Sequence, residues 1–296
     1  IKKVKEPIEQ EFSFFTPRHV IFSYLHLASP SAKPLILALT KAKVTAIAYE
    51  TVQTDKEMPL LRPMSEVAGT LAAYYGAVFK KYITVRGNKI EGVEKAKALM
   101  EEFAANYSPS LRGSVQSEAE AISGPWIAAP AEKRGGLAMT GVRFFILGGG
   151  HVGKNAAEMA SQMGAEVWVS EVSEERRVIL SKAKDLDRDS SAFPPGLTTR
   201  RARGGLRMTK VNVINPSDVE QYRKCLNEAD IIIGAVHSAG KRAPLVIDQD
   251  LLRKMSRHKT KIILDISIDQ GGNIAGAEPR DYEHPLYLDS LGNLRF

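Results

Sequence analysis

Residues 142–153 read VRFFILGGGHVG, an apolar run that ends in three successive glycines with a fourth three positions on. Branched and aromatic residues before the glycines suit a buried strand, and KNAAEMASQMG behind them has helical spacing. Gly148, Gly150 and Gly153 make a G-x-G-x-x-G set across that strand-to-helix turn. Gly148 permits the tight turn, Gly150 lets the backbone approach a pyrophosphate, and Gly153 lets helix and strand pack closely. The new helix also offers unpaired N–H groups and partial positive charge to phosphates, so His151 and Val152 join the candidate cofactor-binding residues.

A glycine set alone is weak, and the next strand strengthens it. Near the end of AEVWVSEV stands Glu171, 23 residues past Gly148, where a carboxylate can accept from both ribose hydroxyls. Its charge would repel the extra phosphate of NADP, which makes NAD the expected cofactor.

Outward from this unit the pattern is that of a doubly wound parallel sheet: KVNVI, the helix SDVEQYRKCLNEA, the strand DIIIGAV, a helix over 248–255 and the strand KIILDISI. The passage 185–209, rich in proline and glycine, interrupts it as an insertion. In such sheets the ligand crevice lies beyond the carboxyl ends of the strands. Ala235, Val236 and His237 follow one strand there, and Ile266, Ser267, Ile268 and Asp269 follow another, so all are cofactor-site candidates. Asp269 either orients a hydroxyl or cation near the nicotinamide or caps the Gly271–Gly272 turn, and for His237 an exposed loop position is the plainer reading.

Before residue 135 the chain reads as a first α/β domain. VIFSYLHLA is a strand entering a loop, 35–43 a helix, and VTAIAYETV a buried strand. SEVAGTLAAYYGAVFKKY is an amphipathic helix with Ser65 at its N-cap. Residues 86–135 hold a second helix and then a Gly/Pro/Ser-rich stretch, a connector or insertion. The expected division is 1–135 for the first domain, 136–280 for the Rossmann domain, and 281–296 for the start of a return to the first.

Composition narrows the function classes. One cysteine, Cys225, excludes an internal disulfide and a thiolate metal cluster, and points to a reducing compartment. The six histidines are scattered without metal-ligand spacing, so no metal is expected. No stretch has the length and apolarity of a membrane span, and the N-terminal residues lack the apolar run of a signal peptide, so a soluble cytoplasmic protein is expected. Net charge is +7, with Arg200, Arg201, Arg203, Arg207 and Lys210 crowded together. In a Gly/Pro-rich setting with no nucleic-acid-binding motif, that run reads as a solvated loop rather than a nucleic-acid surface.

YLHLA, TAIAYETVQ, PLLRPMSEVAG, LGGGHVG, IIIGAV and DISIDQGG, in this order, resemble alanine dehydrogenase, a family related to the nucleotide-binding part of nicotinamide nucleotide transhydrogenase. The likeness covers 20–85 and 140–290 well and 86–135 poorly. It implies a Rossmann domain beside an incomplete flavodoxin-like substrate domain, and NAD-linked interconversion of L-alanine with pyruvate and ammonia. By the same resemblance His26 and Asp269 match the catalytic pair, and Lys5 the lysine that holds the substrate carboxylate. Met64 matches a residue beside the substrate and Ser65 one beside the cofactor. Glu171 replaces the family's ribose-binding aspartate, and Arg176 falls near a basic residue that flanks the adenosine ribose. A near-neutral imidazole suits the proton transfers of deamination. A homohexamer is the family's common assembly.

The pattern also departs from the family. A substrate-gripping arginine expected before VKEP has no positional counterpart, and the NMPG passage expected after the last residues is missing. A chain shortened at both ends would expose apolar surface on its first domain and turn over weakly. The competing readings are a non-catalytic NAD-binding homologue and the NAD-binding component of a transhydrogenase; dehydrogenases of the saccharopine type fit less well.

Overall fold

The computed structural model describes residues 1–54, 58–112, 137–182, 211–238, 240–255, 260–280 and 283–296. The 185–209 insertion with its basic run, and the connector beyond residue 112, lie outside the described residues.

The first body is small. The chain enters beside β1 (Val20–Ser23), with Lys2 bridged to Phe22, and passes through α1 (Lys33–Lys41) to β2 (Thr45–Ala48), parallel to β1. Ile21, Leu25, Leu35 and Leu39 form its core. Strand β2 is not the buried strand its composition suggests. Among the described residues it pairs only with β1, and Thr45, Ala46 and Ile47 are exposed. Val20, Ile36 and Leu37 are exposed with Ile47 on the surface of this body.

Helix α2 (Arg62–Tyr82) starts earlier than Ser65, with Leu61 at its N-cap and Pro63 in the first turn. Proline is compatible with that turn because its fixed φ is helical and the N–H it lacks would be unpaired anyway. Ser65 is therefore inside the helix, its N–H donating to the Leu61 carbonyl at 3.0 Å. From Gly69 to Phe79 the helix is buried on nearly every side. The hairpin β3 (Thr84–Arg86) and β4 (Lys89–Glu91) leads to α3 (Val93–Arg112), which returns along α2 and contributes Ala96, Met100 and Phe103 to the same core.

The main sheet is built from β5 (Arg143–Leu147), α4 (His151–Gln162), β6 (Glu166–Ser170), α5 (Glu174–Lys182), β7 (Val211–Ile214), α6 (Val219–Glu228), β8 (Ile231–Gly234), α7 (Gln249–Lys254), β9 (Ile262–Asp265), β10 (Tyr287–Leu288) and β11 (Leu294–Arg295). Its order is β10-β11-β9-β8-β5-β6-β7, and every neighbouring pair is parallel except β10 with β11. Counted from β5 to β11, leaving out β10, this is the 3-2-1-4-5-6 order of a doubly wound dinucleotide-binding sheet. Apolar side chains of α2, α3 and α4 pack on one face, and those of α6 and α7 on the other.

Two expected boundaries give way. Helices α2 and α3 belong to the core of the large sheet, so a division at residue 135 would cut through that core. Residues 281–296 do not return to the first body: Leu294 and Arg295 pair with Ile262 and Ile263 of β9. The Arg295 side chain is 2% exposed and held by Asp289 Oδ2 at 2.8 Å and the Ala275 carbonyl at 2.9 Å. A buried guanidinium requires such partners, which fix the last strand on the sheet.

Helix α2 is held closely against the large sheet and its first helix. At Gly69 it approaches α4 so closely that a Cβ there would stand 2.1 Å from the Val152 carbonyl oxygen. Lys80 reaches Asp230 at 2.9 Å beside the start of β8. The first turn of α2 is thus carried rigidly with the glycine turn. Among the described residues no helix is long and apolar enough to cross a membrane.

Candidate active site

Three loops leave the carboxyl ends of β5, β8 and β9 at the switch point of the sheet. In the first, Gly148 has φ of +93° and donates to the Ser170 carbonyl at 2.8 Å. Gly153 lies so close that a Cβ would fall 1.8 Å from the Gly148 carbonyl oxygen, which is the close helix–strand packing its spacing predicts. Gly150 differs: a Cβ there would meet nothing within 4 Å, and α4 starts at it with no side-chain cap. The open space above an uncapped helix N-terminus fits a pyrophosphate.

Glu171 stands at the end of β6, 4% exposed. One carboxylate oxygen accepts the Gly149 N–H at 2.7 Å and the other the Ser173 N–H at 2.8 Å, so the acid braces the glycine turn from below. Arg176 is mostly exposed and lies 3.9 Å from that carboxylate. Arg177, which sequence reading passed over, donates to the carbonyls of Glu171 at 3.0 Å and Val172 at 2.6 Å.

The other two loops are pinned together by Asn273, which is fully buried. Its Oδ1 accepts the Val236 N–H at 2.9 Å, while its Nδ2 donates to the carbonyls of Val236 at 2.9 Å and Pro244 at 3.0 Å. Ser267 Oγ donates to the same Val236 carbonyl at 2.9 Å. Beneath them Asp265 accepts the N–H groups of Ser267, Asn273 and Ile274. Burial pushes its carboxyl pKa up, and the backbone donors oppose the shift. Replacing Asn273 by alanine leaves a buried N–H unpaired and unhooks the loops. A loss of about 3 kcal/mol is expected in denaturant unfolding, together with weaker dinucleotide binding.

Across the crevice lies His26, at the end of the segment that follows β1. Its backbone is left-handed, with φ of +48°. The carboxylate of Glu50, 5% exposed, accepts the N–H of His26 at 2.7 Å and that of Leu25 at 3.3 Å. From there His26 Nδ1 approaches Asp269 Oδ2 to 3.1 Å, obliquely rather than along a straight hydrogen bond. Asp269 raises the imidazole pKa; burial opposes this, and the charges of Glu50 and Glu6 add to it. The Gly271–Gly272 turn is closed by the carbonyls of Ile268 and Ser267, which frees the Asp269 side chain for His26.

His237 is not the exposed loop residue its sequence setting suggests. It is partly buried, with Nε2 enclosed and without a hydrogen-bond partner. The first body lies near this loop: a Cβ built on Gly240 would stand 3.6 Å from the Thr51 methyl. Burial lowers its pKa, against the pull of Asp269 and Glu50. Two imidazoles near one carboxylate are thus pushed in opposite directions.

Of the residues singled out from sequence, His26, Asp269 and His237 come together, and Gly148, Gly150, His151, Val152, Gly153 and Glu171 form the adjoining cradle. Ala235, Val236, Ile266, Ser267 and Ile268 line the two loops. Met64 and Ser65 sit in the first turn of α2, Met64 exposed. The Lys5 side chain is exposed and has no partner among the described residues; its carbonyl accepts from Ser23 Oγ at 2.9 Å. Its neighbour Glu6 is the one facing His26, with Oε2 enclosed and unpaired. Glu6, Glu50 and Asn273 were missed; acids inside the VKEP and IAYETV stretches were the available signal for the first two.

Comparison with known proteins bears on this arrangement. Residues 129–290 match the family model described as alanine dehydrogenase/PNT, C-terminal domain, and 1–68 match that of the N-terminal domain. The unmatched part between them holds most of α2, the β3–β4 hairpin and α3. The chain is 34% identical over 274 residues to the alanine dehydrogenase of Staphylococcus saprophyticus, covering 92% of this chain and 55% of that protein. It is 34% identical over 292 residues to alanine dehydrogenase 2 of Staphylococcus aureus (strain USA300), covering 97% and 59%. It thus spans a little over half the length of these curated relatives. A solved L-alanine dehydrogenase superposes with a TM-score of 0.59 at 27% identity, over 99% of this chain and 62% of that one. A transhydrogenase from Sinorhizobium meliloti superposes with a TM-score of 0.54 at 17% identity, over 99% and 64%, a likeness of fold alone.

Proposed function

The chain belongs to the alanine dehydrogenase/PNT family, and from that premise we propose that it binds NAD and interconverts L-alanine with pyruvate and ammonia. The observation that carries the proposal is the contact of His26 with Asp269 across the crevice, at the carboxyl end of a dinucleotide-binding sheet. The open space at Gly150 and the uncapped start of α4 suit the pyrophosphate of NAD. Bound NAD would supply the hydride acceptor.

The protein's own groups do the rest. Gly148, His151, Val152 and Gly153 shape the phosphate cradle; Glu171 and Arg176 flank the adenosine ribose. Ser65, Ala235, Val236, His237, Ile266, Ser267 and Ile268 border the nicotinamide end. Lys5 and Met64 meet the substrate, Lys5 by pairing with its carboxylate. His26 Nε2 takes a proton in the deamination direction and returns it in amination, while Asp269 orients the ring and steadies its charged form. The assembly proposed is a homohexamer working in the cytoplasm.

The test is to add L-alanine and NAD to the purified chain and follow NADH formation at mildly alkaline pH, with NAD binding measured calorimetrically on the same sample. Binding of NAD with weak turnover is expected. Binding without turnover of alanine would contradict the assigned substrate, and no binding of NAD would remove the reading altogether.

A further inference from the structure

The carboxylate of Glu50 is buried beside His26, yet the chemistry above gives it no task. We propose that Glu50 is a positioning residue for the reaction. By accepting the N–H groups of Leu25 and His26 together, it holds His26 in the left-handed backbone conformation from which the imidazole meets Asp269. The inference rests on the reading of His26 as the acid–base group.

The need for such a clamp follows from the backbone. Among the described residues only His26 and Lys43 adopt positive φ without being glycine. For an ordinary side chain that conformation is disfavoured by contact between Cβ and the following carbonyl oxygen, so something must hold it. A carboxylate taking two adjacent N–H groups is a strong and directional restraint, since hydrogen bonds to a charged acceptor are about twice as strong as neutral ones. Glu50 is itself well anchored. It lies in the turn Tyr49–Thr51; the Tyr49 ring meets the edges of Phe22 and Tyr24 with centroids 4.2 and 5.0 Å apart, and Thr51 Oγ1 donates to the Ala48 carbonyl at 2.9 Å.

The carboxylate acts twice. Geometrically it aims the ring, and electrostatically it joins Asp269 and Glu6 in favouring the protonated imidazole, with His237 as the other titratable group beside Asp269. Glu50→Gln keeps the shape but removes the charge, and its NH2 would face one of the two N–H donors. Glu50→Asp keeps the charge on an arm too short to reach both donors.

Both variants of the full chain are to be compared with wild type by NMR titration of the His26 ring without substrate, by kcat and KM for L-alanine and NAD, and by thermal unfolding. In Glu50→Gln the His26 pKa falls and kcat drops about 100-fold, the scale of a misplaced reacting group, with KM for NAD unchanged. In Glu50→Asp the His26 pKa stays near wild type while kcat drops about 10-fold. Wild-type kcat in Glu50→Gln overturns the proposal. So does a loss that tracks only the fraction unfolded, with the His26 titration unmoved; should Glu50→Gln fail to fold, wild-type kcat in Glu50→Asp overturns it equally. If the wild-type chain does not turn over alanine, the reading of function fails, and the substrate-free titration still decides whether Glu50 governs His26.

Discussion

His26→Asn is expected to reduce turnover about 1,000-fold while leaving NAD affinity within about 2-fold, because it removes the proton carrier and leaves the cradle at Gly148–Gly153 intact. Asparagine also suits the backbone at this position, since it tolerates positive φ better than most residues, and φ here is +48°. The pH dependence carries a second signature. Asp269 holds the His26 pKa above its ordinary 6.5, and only the neutral ring can take a proton. Deamination therefore rises with pH through that elevated pKa, and amination, which needs the protonated ring, falls over the same range. Asp269→Asn removes the largest upward influence, so the rising limb moves to lower pH as kcat falls. A pH profile of kcat/KM for both variants checks this; an unshifted limb in Asp269→Asn would separate Asp269 from His26.

The second large effect is structural. Gly153→Ala is expected to destroy the nucleotide site, and Gly150→Ala to leave the fold standing. A Cβ on Gly153 would lie 1.8 Å from the Gly148 carbonyl oxygen, a backbone atom that cannot step aside without parting α4 from β5. The overpacking cost is about 3 kcal/mol or more, and NAD binding should be lost with it. A methyl on Gly150 meets nothing within 4 Å, so unfolding stays near wild type. The methyl enters the space assigned to the pyrophosphate, and NAD binding should weaken about 10-fold or more. Denaturant unfolding with calorimetric NAD titration distinguishes the two. Equal effects of both substitutions on stability would contradict the packing described.

The contrast between these glycines shows what was legible before the fold was known. Gly148, Gly150, Gly153 and Glu171 announce themselves because each answers a local demand: a positive φ, a close approach, or an acid at a fixed distance past a turn. The parallel sheet followed from alternating periodicity. The last two strands, Tyr287–Leu288 and Leu294–Arg295, are too short to have a period, and their place is set by the buried Arg295–Asp289 pair, which no pattern signals. Helix α2 was legible as a helix but not as the central one, because burial on every side comes from α3, α4 and the sheet rather than from its own stripe.

The site divides in the same way. His26 and Asp269 could be picked out by resemblance, although 243 positions separate them in the chain. Glu50 works through backbone N–H groups 24 and 25 residues away, so its partners leave no mark on the sequence. His237 looked exposed because its own loop is polar. It lies near Asp269 and Glu50, residues far from it in the chain.

The central claim is that this crevice moves hydride from the α-carbon of L-alanine to NAD with His26 as the base. It is tested most directly by supplying L-alanine deuterated at that carbon and weighing the nicotinamide product by mass spectrometry. The account predicts NADH carrying one deuterium from the wild-type chain and about 1,000-fold less of it from His26→Asn in the same time. Unlabelled NADH, or the same labelled yield from both proteins, would contradict it.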